Sequence, residues 1–407
     1  MPYCYVNRHR KVSGEFSSAT ASDGDIKIFY RKYGRGRTKV LLIIGLAGTH
    51  EGWGPQVKGL TGTEYHNEEE EFVVDDNLNG LKDEEEGVQV CCFDNRGMGR
   101  STAPVEKSEY STKIMANDTL ALLDHLGWKK AHVFGHSMGG MIACKLAAVA
   151  PDRLCSLALL NVTGGGFECF PKMDLRMMSL LYRFLRAKTP EQRALVDLDT
   201  HYTKEYLKER LGSSTRGEML YQEYVNGISS SGMQSNYGFD GQINACWTHN
   251  MSSKELDLIR ASGFLVLILH GRHDIIAQVS HARKLAGKLH PASRMVELHG
   301  AHLVSHERPK EVNCSLLELI KATESNISIH EWSSFTQQCQ DETGESILPT
   351  ENDNNETNIS TYIYNFIRKL QVRILYILGL FVIAFKHTKN AFRFLKPRFS
   401  RGIKFHN

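Results

Sequence analysis

Six residues, Gly135-His136-Ser137-Met138-Gly139-Gly140, carry the strongest chemical signal in this chain of 407 residues. They follow an apolar run, Ala131 to Phe134, that reads as a strand. They precede a run from Met141 to Val149 with helical spacing, closed by Pro151. In that context G-x-S-x-G is a nucleophile elbow. A tight strand–turn–helix lifts the serine oxygen clear of the sheet, and its neighbours must be small. The helix N-terminus beneath it favours developing negative charge. A serine hydroxyl is a weak nucleophile, so it needs a base and a third group to orient that base. Two downstream segments supply them. Asp274 follows the strand-like Phe264 to His270, and His302 follows the strand-like Arg294 to Leu298. The order Ser, Asp, His fits a sheet that gathers its chemistry at strand ends.

Rival residues stand close by. His299 and His306 flank His302, while His270, His273 and His281 surround Asp274. His302 is favoured because it sits in the loop between the last strand and the last helix. Acyl transfer also needs donors for the oxyanion. The backbone N–H of Met138, next to the nucleophile, is one candidate. Leu46, in Gly45-Leu46-Ala47-Gly48 after the strand-like Lys39 to Ile44, is the other; the alternative for that loop is an ordinary tight turn.

These residues need a scaffold. Ile26 to Tyr33, Lys39 to Ile44, Gly87 to Asp94, Ala131 to Phe134 and Leu154 to Leu160 read as strands, with helical spacing in Tyr110 to Leu126 and Met141 to Val149. Apolar strands alternating with helices predict an α/β fold with a mostly parallel central sheet covered by helices on both faces. Residues 1–162 form the first part of that core. From 163 to 262 apolar residues recur only at helical spacing, which predicts an inserted helical cap. The alternation resumes over 263–325, with helices at Val279 to Leu289 and Arg308 to Lys321. A polar linker, 326–358, and a hydrophobic, basic C-terminal extension, 359–407, follow.

Five pieces in this order are Leu41 to Gly48, Asp94-Asn95-Arg96-Gly97-Met98-Gly99-Arg100-Ser101, Gly135 to Gly140, Gly271 to Asp274 and His302 to Pro309. In them, residues 25–325 resemble the α/β-hydrolase superfamily, in its single-domain lipase, esterase and peroxidase-like branch; the extensions suggest a plant-type member. The resemblance implies a Ser137–His302–Asp274 triad, a structural role for the Asp94 segment, and no cofactor or metal. One departure stands out: the family usually has His-Gly where this chain has Ile44-Gly45, and that histidine braces the oxyanion loop. Ser137 also separates the chain from dehalogenases and epoxide hydrolases of this fold, which use Asp at that position. The leading expectation is a serine hydrolase of carboxylic esters with a small-molecule acyl substrate. An acyltransferase, a carbon–carbon hydrolase and a small-molecule receptor with a hydrolase fold are the alternatives.

Composition adds bounds. The net charge of +3 averages two extremes. Thr61 to Gly87 holds eleven acids and one base, Lys82, and reads as a solvated insertion. Lys386 to Asn407 holds seven Lys or Arg and no acid. Ile374 to Phe385 is uncharged but only ~18 Å long as a helix, against a hydrocarbon core of ~30 Å. That favours peripheral or shallow membrane association through 359–407 over a span; no nucleic-acid partner is expected. Nine cysteines without a C-x-x-C pair suggest reduced thiols and an intracellular, cytoplasmic setting, as does an N-terminus without a signal-like apolar run. Met173, Met177, Met178, Leu180, Leu181 and Phe184 cluster in the cap region, either lining a lipophilic pocket or packing the cap onto the body.

Overall fold

The computed structural model describes residues 2–6, 25–67, 86–172, 174–231 and 234–334. The chain divides into two units, Met1–Thr343 and Gly344–Asn407, and all described residues lie in the first. The extension 359–407, Met173 and most of the acidic insertion therefore lie outside the described residues.

Eight strands form one sheet: β1 (Tyr3–Val6), β2 (Ile26–Tyr33), β3 (Thr38–Ile43), β4 (Val88–Phe93), β5 (Ala131–His136), β6 (Leu154–Leu160), β9 (Leu265–Gly271) and β10 (Ser293–Leu298). The remaining two, β7 (Arg210–Leu211) and β8 (Ser214–Thr215), make a small separate hairpin. The order in the large sheet is β1-β2-β4-β3-β5-β6-β9-β10. Pairing is antiparallel for β1 with β2 and β2 with β4, and parallel across the rest. The mostly parallel α/β sheet read from the sequence is thus the observed one; β1 is an addition. The central strands are apolar on both faces because both faces are covered. Along β3, Leu41 and Ile43 join one core and Val40 and Leu42 the other, as alternation in a strand requires.

Helices α1 (Gly54–Thr61), α2 (Thr112–His125) and α3 (Met138–Val149) precede β6. Between β6 and β9 come α4 (Leu175–Arg186), α5 (Pro190–His201), α6 (Lys204–Lys208), α7 (Arg216–Ser231), α8 (Asn236–Thr248) and α9 (Ser253–Ala261). The last four are α10 (Val279–Leu289), α11 (Val304–Glu307), α12 (Pro309–Glu324) and α13 (Ile329–Ser334). One face of the sheet packs residues of α2, α3, α9 and α10, and the other packs residues of α1, α12 and α13. The reading of 326–358 as linker is corrected at its start. Trp332 of α13 is fully buried, and its Nε1–H donates to the Val266 carbonyl at 2.8 Å. One aromatic anchor in a polar stretch was enough to extend the body past 325.

Parallel registers place one set of strand ends together. Ile43 pairs with Gly135, His136 with Leu160, Leu160 with Leu269, and Gly271 with Leu298. The segments that follow carry Leu46, Ser137, Asn161, Asp274 and His302, so all five leave the same edge of the sheet.

Candidate active site

Ser137 sits between β5 and α3 with φ 54° and ψ −120°, a conformation that L residues rarely adopt. Two glycines make the turn possible. A Cβ on Gly139 would lie 2.0 Å from the Ile43 carbonyl oxygen, and one on Gly135 would lie 2.4 Å from that of Gly139. The strained turn is fixed from behind: the Ser137 N–H donates to the Leu160 carbonyl at 2.8 Å.

The three residues expected from the sequence converge. His302 Nε2 lies 3.1 Å from Ser137 Oγ, and His302 Nδ1 lies 2.8 Å from Asp274 Oδ2. Asp274 and His302 are both buried, while the serine hydroxyl stands at a part-exposed position. The other oxygen of Asp274 accepts from the N–H groups of Ile276 and Ala277 at 2.8 and 2.9 Å. Burial pushes the Asp274 carboxyl up, but His302, the nearby His270 and a hydrogen bond from Asn161 outweigh it and hold it down at about 2. An ionised carboxylate there fixes the imidazole with its proton on Nδ1 and leaves Nε2 to accept from the serine.

The rival histidines have other partners. His299 Nδ1 is 3.1 Å from His273 Nε2 in an exposed pair. His306 donates Nε2–H to the Gly52 carbonyl at 2.7 Å, His270 donates to that of Ala277 at 2.8 Å, and His281 faces Glu168 at 3.5 Å.

Met138 opens α3, so its N–H is one of the helix's unpaired first donors. Neither that N–H nor that of Leu46 is accepted by a protein group among the described residues. The Leu46 loop is held without the family histidine. Buried Gln242 of α8 accepts the Ala47 N–H at 3.0 Å and donates to the Arg96 carbonyl at 2.9 Å. Asn95 donates to the Ile44 carbonyl at 2.8 Å. Ala47 takes φ 58°, and a Cβ on Gly45 would approach Ser137 Cβ to 3.0 Å, so the loop lies directly against Ser137.

Several residues around the site escaped the sequence reading. Asn161, at positive φ after β6, donates Nδ2–H to Asp274 Oδ2 at 2.8 Å and to the Ala301 carbonyl at 3.1 Å. His136, the variable residue of the elbow, donates Nε2–H to the His302 carbonyl at 2.8 Å. Burial and the neighbouring His302 push its imidazole down to about 3, so it remains neutral. His201, ending α5, stacks on His302 with centroids 6.1 Å apart and has a buried Nδ1 without a partner among the described residues. The α5–α6 corner is stitched to the segment around His302. The His201 carbonyl accepts from Leu303 N–H at 3.0 Å, and buried Glu307 accepts from Ala301 N–H, Thr203 N–H and the Thr203 hydroxyl at 2.7, 3.2 and 2.6 Å. No local pattern announces such contacts, although Asn161 at a strand end and His136 inside the motif were visible positions.

The apolar group of α4 does not gather into one pocket. Met177 and Leu180 are buried, Phe184 packs on Phe239, and Met178 and Leu181 face solvent. A cleft of about 220 Å³ lies instead against the N-terminal end of α4 and the α5–α6 corner. Its wall includes Arg176, Tyr202, Thr203, Ile275 and Ala301, but not Ser137.

The family model described as alpha/beta hydrolase fold matches residues 40–309. The chain belongs to the alpha/beta hydrolase fold family. Among curated relatives of this hydrolase-fold chain, a Caulobacter segnis protein carrying the name carbamate hydrolase RutD is 36% identical over 126 residues. That is 31% of this chain and 38% of the relative. A like-named Caulobacter sp. protein is 25% identical over 292 residues, 70% of this chain and 91% of its own. The chain thus aligns with well under two thirds of the first relative's length, and with most of the second's. Among solved structures, the enol-lactonase of Burkholderia xenovorans LB400 superimposes with a TM-score of 0.55 at 22% identity, over 73% of this chain and 97% of that one. An esterase of Thermogutta terrifontis gives 0.53 at 21% identity, over 75% and 96%. Identities at this level speak for the fold.

Seven described cysteines are free thiols, but Cys314 is disulfide-bonded, which departs from the all-reduced expectation. No helix among the described residues is long and apolar enough to cross a membrane, and no metal-binding cluster occurs among them.

Proposed function

We propose that this chain is a serine hydrolase of carboxylic esters that works through an acyl-enzyme. The observation that carries this reading is the unbroken relay from Ser137 Oγ to His302 Nε2 at 3.1 Å and from His302 Nδ1 to Asp274 Oδ2 at 2.8 Å, beside two N–H groups left unspent.

His302 Nε2 takes the Ser137 proton as Oγ bonds to the acyl carbon. The carbonyl oxygen becomes an oxyanion held by the N–H groups of Leu46 and Met138, each such donor being worth ~3 kcal/mol of barrier. Collapse breaks the bond to the leaving oxygen, which takes the proton from His302 and departs as an alcohol. Water then attacks the acyl carbon and gives its proton to His302; Ser137 Oγ leaves and recovers that proton, and a carboxylic acid is released. Asp274 stays ionised and stabilises the imidazolium in both halves.

The name carbamate hydrolase, carried by both relatives, favours a second substrate class, carbamates, for the same steps. A fluorophosphonate probe tests the nucleophile: the parent is labelled and Ser137→Ala is not. Equal labelling of both proteins rejects the assignment. Turnover of p-nitrophenyl esters of graded chain length, beside an aryl carbamate, separates the two substrate classes. A single slow turnover on every member would favour the receptor reading.

A further inference from the structure

We propose that the outer face of α4 is a docking surface for an anionic lipid membrane. The inner face of this helix is already used, since Met177 and Leu180 are buried. A second apolar row runs along the outside: Leu175, Met178, Leu181, Tyr182 and Leu185 are 91, 53, 45, 59 and 72% exposed. At ~100° per residue they occupy about a third of the helix circumference. Single exposed apolar residues are ordinary, but a continuous row on one helix marks a contact surface.

Charge chooses the occupant. From Lys172 to Lys188 the sequence holds five cations and one acid, Asp174. That acid is spent as the helix N-cap, accepting the Met177 N–H at 2.8 Å. Arg183 is paired with Asp199 of α5 at 2.6 Å, and the neighbouring Asp197 is paired with Arg193. Lys172, Arg176, Arg186 and Lys188 make no ion pair among the described residues. Arg186 lies 5.2 Å from the centre of the Tyr182 ring, at the border between the apolar row and the polar face. An apolar row edged by cations and an aromatic ring is the pattern of a helix lying in the headgroup region, its apolar side ~5–10 Å deep. A second copy of the chain would bring like charges together, and so would the basic segment 386–407. An anionic bilayer offers both an apolar interior and opposite charge.

The test places a reporter on the face itself, so that binding through any other part of the full chain is told apart. Tyr182→Trp is compared with the parent on vesicles of phosphatidylcholine alone, on vesicles with about a third phosphatidylserine, and on the latter made with bromine-labelled acyl chains. The expected result is a blue-shifted emission from the added tryptophan, quenched by bromine, with the anionic vesicles only. Leu175→Ser with Leu185→Ser should weaken this partitioning at least tenfold while leaving circular dichroism and hydrolysis of a soluble ester unchanged. Arg186→Gln with Lys188→Gln should weaken it about thirtyfold. Vesicle binding with the tryptophan still water-exposed and unquenched would overturn the proposal. A blue shift that grows with protein concentration without lipid, or equal partitioning to neutral vesicles, would overturn it as well.

Discussion

Gln242→Ala isolates the side chain that braces the loop of the proposed oxyanion donor Leu46, where the family usually has a histidine. Gln242 is fully buried and serves three partners: it accepts from Ala47 N–H and Gln234 Nε2 at 3.0 Å each, and donates to the Arg96 carbonyl at 2.9 Å. Truncation leaves the Ala47 N–H and the Arg96 carbonyl without these partners. At ~1–3 kcal/mol for each buried orphan, and with water able to enter the space, a loss of about 2–4 kcal/mol in stability follows. Catalysis should fall further than stability explains. Ala47 is the residue after the proposed donor Leu46 and is held at positive φ, so freeing its N–H lets the loop relax. Losing one oxyanion donor lowers kcat by ~10²–10³. The expected outcome is therefore a kcat on p-nitrophenyl butyrate reduced about a hundredfold with KM changed little, measured at a temperature where circular dichroism shows the variant folded. Gln242→Glu keeps an acceptor for Ala47 but loses the donor to Arg96, and should recover part of the rate at high pH. A folded Gln242→Ala enzyme with kcat within about twofold of the parent would refute the claim that this residue sets the loop.

Asp274→Asn should keep the fold but lower kcat by ~10⁴, because the amide favours the wrong imidazole tautomer. The same variant tests linkage. The Asp274 carboxyl is held at about 2 in the folded protein, below the ~3.9 of an unfolded aspartate, so its stabilisation is present above pH ~4 and is lost as pH falls toward 2. Urea midpoints from pH 5 to 2 should fall more steeply for the parent than for the variant, and parallel curves would count against this account. Gly45→Ala places a methyl 3.0 Å from Ser137 Cβ. It should cut acylation, read by fluorophosphonate labelling rate, far more than it shifts Tm. His136→Phe removes the donor to the His302 carbonyl and should lower kcat about tenfold, an ordinary cost for a misplaced base; unchanged kcat would make His136 a packing residue only.

The sequence was most informative where chemistry is confined to a short segment. Gly135 to Gly140 showed its turn because the steric demands on Gly135 and Gly139 are local, and the positions of Asp274 and His302 after apolar strands marked them as candidates for the place beside Ser137. The residues that hold them were harder to see. Gln242 reaches a loop 195 positions away, and nothing in the period of α8 distinguishes it from a solvated amide. Ile44-Gly45 was recognised as a departure, but its remedy depended on which helix packs over the loop. Trp332 was hidden by the polar composition around it, and β1 by its shortness. The apolar residues of α4 were noticed as a group, yet only coordinates could divide Met177 and Leu180 from Met178 and Leu181.

The stitching at the α5–α6 corner constrains how material enters and leaves. The His201 carbonyl accepts from Leu303, next to His302, and Thr203 donates to Glu307 of α11, which also accepts from Ala301. A lid that lifted at this corner would pull the imidazole away from the serine, so the open form would be chemically idle. This corner therefore acts as a fixed post rather than a hinge for the segment that carries His302.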